Sequence, residues 1–286
     1  MTTKLQGPST YFLPFNMGDH GAAGNPPNGQ GHRTHYLWEQ VWQRDSWLEI
    51  IARYLVTKRD EKKRITSILF PRYHQLDATR KLVQAVLAEG VGQKYLIQHS
   101  AGSGKTNSIA WAAHFLADLH DASNNKLFST VLVSDRTVLD TQLQEAIFDF
   151  ERTAGVVATI KGESQSKSGE LAEALSGGKK IVVCTIQTFP FALKAVQELA
   201  ATQGKRFAVI ADEAHSSQTG EAAGKLKQVL SAQELQDLAD GGEVGIEDIL
   251  AAQMSAKAGM AGTASAVTYV AFTATPKAKT LELFGR

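Results

Sequence analysis

Two short runs in this chain, His99-Ser-Ala-Gly-Ser-Gly-Lys-Thr106 and Asp212-Glu-Ala-His215, hold the residue types and spacing that could do chemistry together. Gly102 and Gly104 let the backbone bend tightly around Ser103 and turn several N–H groups inward, where they can cradle phosphate oxygens at the start of a helix. Lys105 then reaches the β- and γ-phosphates of a nucleotide, and Thr106 offers its hydroxyl to Mg²⁺. Asp212 is expected to hold the same Mg²⁺, and Glu213 to polarise the water that attacks the γ-phosphate. The implied chemistry is hydrolysis of ATP with Mg²⁺. Taken alone, the glycine run could be an ordinary loop; its flanking strand, following helix and acidic counterpart weigh against that.

Such a site needs elements that end at the right place. Tyr95-Leu-Ile97, Thr130-Val-Leu-Val133, Val156-Val-Ala-Thr-Ile160, Ile181-Val-Val183, Phe207-Ala-Val-Ile-Ala211 and Thr268-Tyr-Val-Ala-Phe272 read as buried parallel strands, separated by helix-like stretches. Ile109, Ala113 and Leu116 mark the buried face of the helix after the glycine run. The alternation predicts an α/β fold, a doubly wound parallel sheet flanked by helices, with its functional loops beyond the carboxyl ends of the strands. Lys161 to Gly169 reads as a surface loop and Gly241-Gly-Glu-Val-Gly245 as a break.

Before the sheet the texture differs. Residues 1–35 are rich in Gly and Pro and read as an extended arm or linker. Residues 36–68 read as a helical extension: Ser46 and Glu49 fit a capping box, with Leu48, Ile51 and Leu55 on one helix face. Trp38, Trp42 and Trp47 are expected to anchor this extension on the main domain, taken as 69–286, and the mixed-sign run Lys58–Arg64 to form a solvated turn.

With 286 residues and 43% apolar side chains, the chain can bury a real core. Its 30 basic and 29 acidic side chains nearly cancel, so any nucleic-acid contact must use local patches rather than an overall field. Cys184 is the only cysteine, which excludes an internal disulfide and a cysteine-rich zinc site; a small core residue is the expected role, rather than a nucleophile. His32 and His35 lack the neighbours that a metal cluster needs. No signal-peptide pattern and no apolar stretch of about 18 residues is present, so the expectation is a cytoplasmic protein without a membrane partner.

The glycine run, Asp212-Glu-Ala-His215 and Thr273-Ala-Thr275 together resemble motifs I, II and III of superfamily 2 helicases and translocases, in the order of a first RecA-like motor lobe. Gly24-Asn-Pro-Pro-Asn28, Tyr36-Leu-Trp-Glu39, Phe70-Pro-Arg-Tyr-His-Gln75, Ala214-His-Ser-Ser-Gln-Thr-Gly220 and Ala271-Phe-Thr-Ala-Thr-Pro-Lys277 narrow the resemblance to the restriction (motor) subunit of type I restriction-modification enzymes. It implies a RecA-like P-loop NTPase fold and an ATP-driven motor that translocates double-stranded DNA before cutting it. The implied partners are the DNA and the methyltransferase and specificity subunits of the complex. In the family a nuclease domain precedes this lobe and a second RecA-like lobe follows it, so the chain reads as a fragment holding the first lobe.

The resemblance also assigns residues. Gln75 with Arg72 matches an adenine-reading element; the alternative for Gln75 is a helix-start residue on the surface. His215 is expected to hydrogen-bond towards Thr273 or Thr275, coupling nucleotide state to DNA contact, with a plain surface histidine as the alternative. Arg136, Thr185 and Gln187 fall where superfamily motors touch backbone phosphates, although Arg136 could instead pair with Asp135 or Asp140. His99 departs from the Gly or Ala that usually opens a phosphate loop, and its side chain must be housed at the strand end. A chromatin-type translocase or an unwinding helicase would share motifs I to III but would not require the Asn-Pro-Pro-Asn and Tyr-Leu-Trp-Glu stretches. A third reading is a module that binds nucleotide or docks on other subunits without turnover.

Overall fold

Aromatic side chains, more than regular elements, organise the N-terminal part of the chain. A computed structural model describes residues 6–100, 102–135, 142–151, 154–160, 167–185, 188–212, 217–218, 244–245, 266–276 and 278–284. The chain divides into two units, Met1–Arg80 and Lys81–Arg286. In the first, the stretch expected to be an extended arm has little regular structure beyond a 3₁₀ turn at Gly7–Ser9, yet it is tied down. Buried Asn25 accepts the Met17 N–H at 2.8 Å, and the buried Tyr36 hydroxyl donates to the Phe15 carbonyl. Phe15, Tyr36, Phe70 and Tyr73 pack edge to face or stacked, with Tyr36 and Tyr73 centroids 5.2 Å apart.

The extension is helical only as far as Tyr54. A π-helical turn at Leu37–Val41 leads to α1 (Arg44–Glu49) and a second π-helical turn at Ile50–Tyr54. Strands β1 (Val56–Arg59) and β2 (Ile65–Leu69) then pair antiparallel, a hairpin that the sequence reading missed. Part of the Lys58–Arg64 run is its turn, closed by Asp60, whose carboxylate accepts the Arg64 backbone and side-chain N–H groups, each at 2.9 Å. The expected capping box does not form. The helix starts at Arg44, so Ser46 lies inside it, and Ser46 Oγ and Glu49 Oε2 instead accept the Arg80 guanidinium at 2.8 and 2.6 Å. The widened second turn shifts the buried face to Ile50 and Tyr54, leaving Leu48 and Ile51 exposed. Burial, with the Glu49 charge adding, pushes the Tyr54 phenol above its usual range. Trp38, Trp42 and Trp47 are all exposed, and Trp47 meets Phe70 at 6.1 Å.

The boundary between units falls within α2 (Tyr73–Glu89). In the second unit all six expected strands form: β3 (Lys94–Gln98), β4 (Thr130–Asp135), β5 (Val157–Ile160), β6 (Ile181–Thr185), β7 (Phe207–Asp212) and, after the short antiparallel pair β8 (Ser217–Gln218) and β9 (Val244–Gly245), β10 (Val267–Thr273). They make one parallel sheet in the order β3-β10-β7-β4-β6-β5. All residues of β6 and β10 are buried, which is why these runs are continuously apolar instead of alternating.

Helices cover both faces, as a doubly wound sheet requires. On one face Leu132, Val182, Cys184, Val209 and Ala271 share a cluster with Leu171 and Leu175 of α5 (Lys167–Ser176) and with Phe189, Leu193 and Val196 of α6 (Phe189–Gln203). Each Leu, Val or Phe among them, when fully buried, contributes about 1.5–3 kcal/mol relative to exposure. Lys167–Gly169, read from the sequence as loop, are the first turn of α5. On the other face α3 (Lys105–Ala117) lies against β4, β6 and β7 and is backed by α4 (Gln142–Asp149). The expected face residues Ile109, Ala113 and Leu116 are all fully buried. A last helix, α7 (Ala278–Phe284), packs by β3. Among the described residues no helix is long and apolar enough to cross a membrane.

Candidate nucleotide site

The glycine run leaves the carboxyl end of β3 and enters α3 directly. Gly102 has φ +73° and Gly104, the N-cap of α3, φ +83°, a left-handed conformation that a side chain disfavours. A Cβ on Gly102 would meet no atom within 4 Å, so backbone conformation rather than crowding demands glycine there. Ser103 is buried and its N–H donates to the Ser100 carbonyl at 3.2 Å, folding the loop on itself. Lys105 and Thr106 are the first two residues of α3, at the end where the helix dipole favours an anion.

The acidic run begins where β7 ends. Lys105 Nζ lies 3.4 Å from Asp212 Oδ1, with both side chains 15% exposed. This juxtaposition comes from topology: β10 lies between β3 and β7, registering Phe272 with Asp212 and Thr273 with Gln98. Thr273 is buried, and its carbonyl accepts the His99 N–H at 2.9 Å, so the strand of the third motif is bonded to the residue that opens the loop. Thr275 is exposed beyond the strand end.

Thr185 also ends a strand, but its side chain is buried and its hydroxyl lies 3.2 Å from that of Thr188. In the N-terminal unit Gln75 is buried, and its Oε1 accepts the Arg72 backbone N–H at 2.8 Å. This hydrogen bond closes the start of α2. Ala101, Arg136, Gln187, Glu213 and His215 lie outside the described residues. No group of three or more His, Cys, Asp or Glu that could hold a metal ion occurs among the described residues. Sequence reasoning missed two features: the Arg80 clasp on Ser46 and Glu49, and His99, whose Nδ1 lies 3.3 Å from Ser103 Oγ. The mismatch of His99 with the usual glycine was the one available signal.

A glycine-rich loop running from a parallel strand into a helix, paired across the sheet with a carboxylate at a strand end, defines a RecA-like P-loop NTPase. The chain belongs to the SWI2/SNF2 ATPase family, whose family model matches residues 74–240, more than half of its length. It is 33% identical over 103 residues to a Methanocaldococcus jannaschii protein that carries the name of a type I restriction enzyme MjaVIIP endonuclease subunit. That match takes in 34% of this chain and 9% of the relative. A solved fragment named as an HsdR subunit of a type I restriction enzyme from Vibrio vulnificus YJ016 aligns with 76% of this chain and 29% of that one, at 17% identity and a TM-score of 0.39, too low to argue from.

Proposed function

We propose that the chain is the ATP-binding motor lobe of a type I restriction endonuclease subunit, coupling ATP hydrolysis to translocation of double-stranded DNA ahead of cleavage. The observation that carries the nucleotide part is Lys105 within 3.4 Å of Asp212 at the mouth of the glycine loop. Membership of an ATPase family supports it, and the similarity to the M. jannaschii protein supports the restriction setting. The family match equally favours a second reading, a DNA translocase of the SWI2/SNF2 kind outside a restriction complex.

The residues fit ATP with Mg²⁺. The N–H groups at the start of α3 and the Lys105 ammonium suit a polyphosphate, while the Thr106 hydroxyl and Asp212 carboxylate are the oxygen donors that a hard dication takes. Bound Mg²⁺ would neutralise charge that develops on the phosphates. Lys105 would hold the β- and γ-phosphates, and Glu213 would accept the proton of the attacking water. His215 with Thr273 and Thr275 would relay nucleotide state, and Arg136, Thr185 and Gln187 would grip DNA phosphates. Gln75 with Arg72 would read the adenine. Residues 69–286 would form the motor domain, working with methyltransferase and specificity subunits.

Calorimetric titration with a non-hydrolysable ATP analogue and Mg²⁺, for the parent and Lys105→Ala, tests the reading; phosphate release with and without duplex DNA accompanies it. Binding in the parent, lost or severely weakened in the variant, is expected, because the loop loses its mobile positive charge. Equal affinity in the two would overturn the assignment.

A further inference from the structure

His99, just past the end of β3, has no part in the proposed mechanism, and three contacts converge on it. Its main-chain N–H donates to the Thr273 carbonyl of β10 at 2.9 Å. Its ring Nδ1 and Ser103 Oγ share a hydrogen bond at 3.3 Å, the donor being set by the ring's tautomer. Its ring centroid lies 6.0 Å from that of Phe272, the residue registered with Asp212. Both His99 and Ser103 are buried, at 5% and 8% exposure, so this polar contact is made away from bulk water.

We infer that His99 is a positioning residue for the phosphate loop: its imidazole pins the Ser103 hydroxyl while its backbone fixes the loop to β10. A loop bounded by two left-handed glycines, Gly102 and Gly104, has many conformations open to it. Between them lies Ser103, whose hydroxyl the hydrogen bond shared with His99 holds. Ring packing against Phe272 fixes where the imidazole stands. The loop is thereby set to its cradling shape before an anion arrives, and the ordering entropy of binding falls. A histidine at this position does what glycine could not, since glycine offers no group to Ser103.

The inference rests on the proposed nucleotide site, and the experiment separates the two. Affinity for the ATP analogue with Mg²⁺ is measured for the parent, Lys105→Ala, His99→Phe, His99→Asn, Ser103→Ala and the His99→Phe/Ser103→Ala pair, with thermal melts for each. His99→Phe keeps an aromatic ring beside Phe272 but loses Nδ1, and should weaken binding about three- to tenfold, the range of one neutral buried hydrogen bond. His99→Asn, whose amide places a polar atom near the Nδ1 position, should recover most of that loss. Ser103→Ala should match His99→Phe, and the double variant should be no weaker than either single one. Additive losses, or an unchanged affinity in His99→Phe with a Lys105-dependent parent, would overturn the positioning role and leave the nucleotide site standing. A parent that binds no analogue, or binds it independently of Lys105, would overturn both. A loss in His99→Phe that tracks a lowered melting temperature and is not restored in His99→Asn would also count against the role.

Discussion

Lys105 and Asp212 already hold each other, so a polyphosphate that reaches the loop competes with a carboxylate for the same ammonium. Asp212→Asn removes that competitor and the oxygen donor for Mg²⁺ in one change. Without Mg²⁺ the variant should bind the ATP analogue at least as tightly as the parent; added Mg²⁺, which should tighten binding by the parent, should leave the variant unmoved. Titrations in chelator and in excess Mg²⁺ check this, and a metal-dependent gain kept by Asp212→Asn would mean that other oxygens carry the ion. The pair itself was legible in the sequence, because a Gly-Lys-Thr run and an Asp-Glu run both fall at ends of apolar strands. The His99–Ser103 contact was not, since the direction of a side chain in a loop depends on φ angles that two glycines leave open. Nor was the contact between the Thr185 and Thr188 hydroxyls, 3.2 Å apart, foreseen.

At the scale of elements, α3 positions the site only if its far end is held. Trp111 is 1% exposed, with its ring 5.0 Å from that of Phe150, and His114 Nε2 lies 2.8 Å from the Ile147 carbonyl of α4. Trp111→Ala should therefore cost about 3–5 kcal/mol, the usual range for emptying a buried aromatic site. Urea unfolding followed by far-ultraviolet circular dichroism measures it, and an unshifted midpoint would show that the α3–α4 interface is dispensable. The strands of the sheet could be read because burial on both faces leaves continuous apolar runs such as Ile181-Val-Val183. The β1–β2 hairpin could not: only Val56 of β1 is buried, so its strand carries no alternation to read, and the charges of Lys58–Arg64 hide it. The capping box failed because Ser-x-x-Glu recurs inside helices, where Arg80 supplied a stronger partner for both side chains than a helix end does.

For the whole molecule, 30 basic against 29 acidic side chains leave almost no net field, so DNA held by this chain would be held by few local charges. That sets the size of the salt dependence. Each duplex phosphate neutralised contributes about −0.9 to the slope of log affinity against log salt. If Arg136 grips one phosphate, Arg136→Ala should make the slope shallower by about one and weaken binding equally on unrelated sequences. If Arg136 instead pairs with Asp135 or Asp140, its removal frees a carboxylate and leaves the slope nearly as it was. Fluorescence anisotropy of two unrelated duplexes, each titrated at several KCl concentrations with parent and variant, distinguishes these outcomes. A loss confined to one duplex would contradict a backbone grip altogether, because a motor that moves along any sequence must hold the phosphates and leave base edges unread.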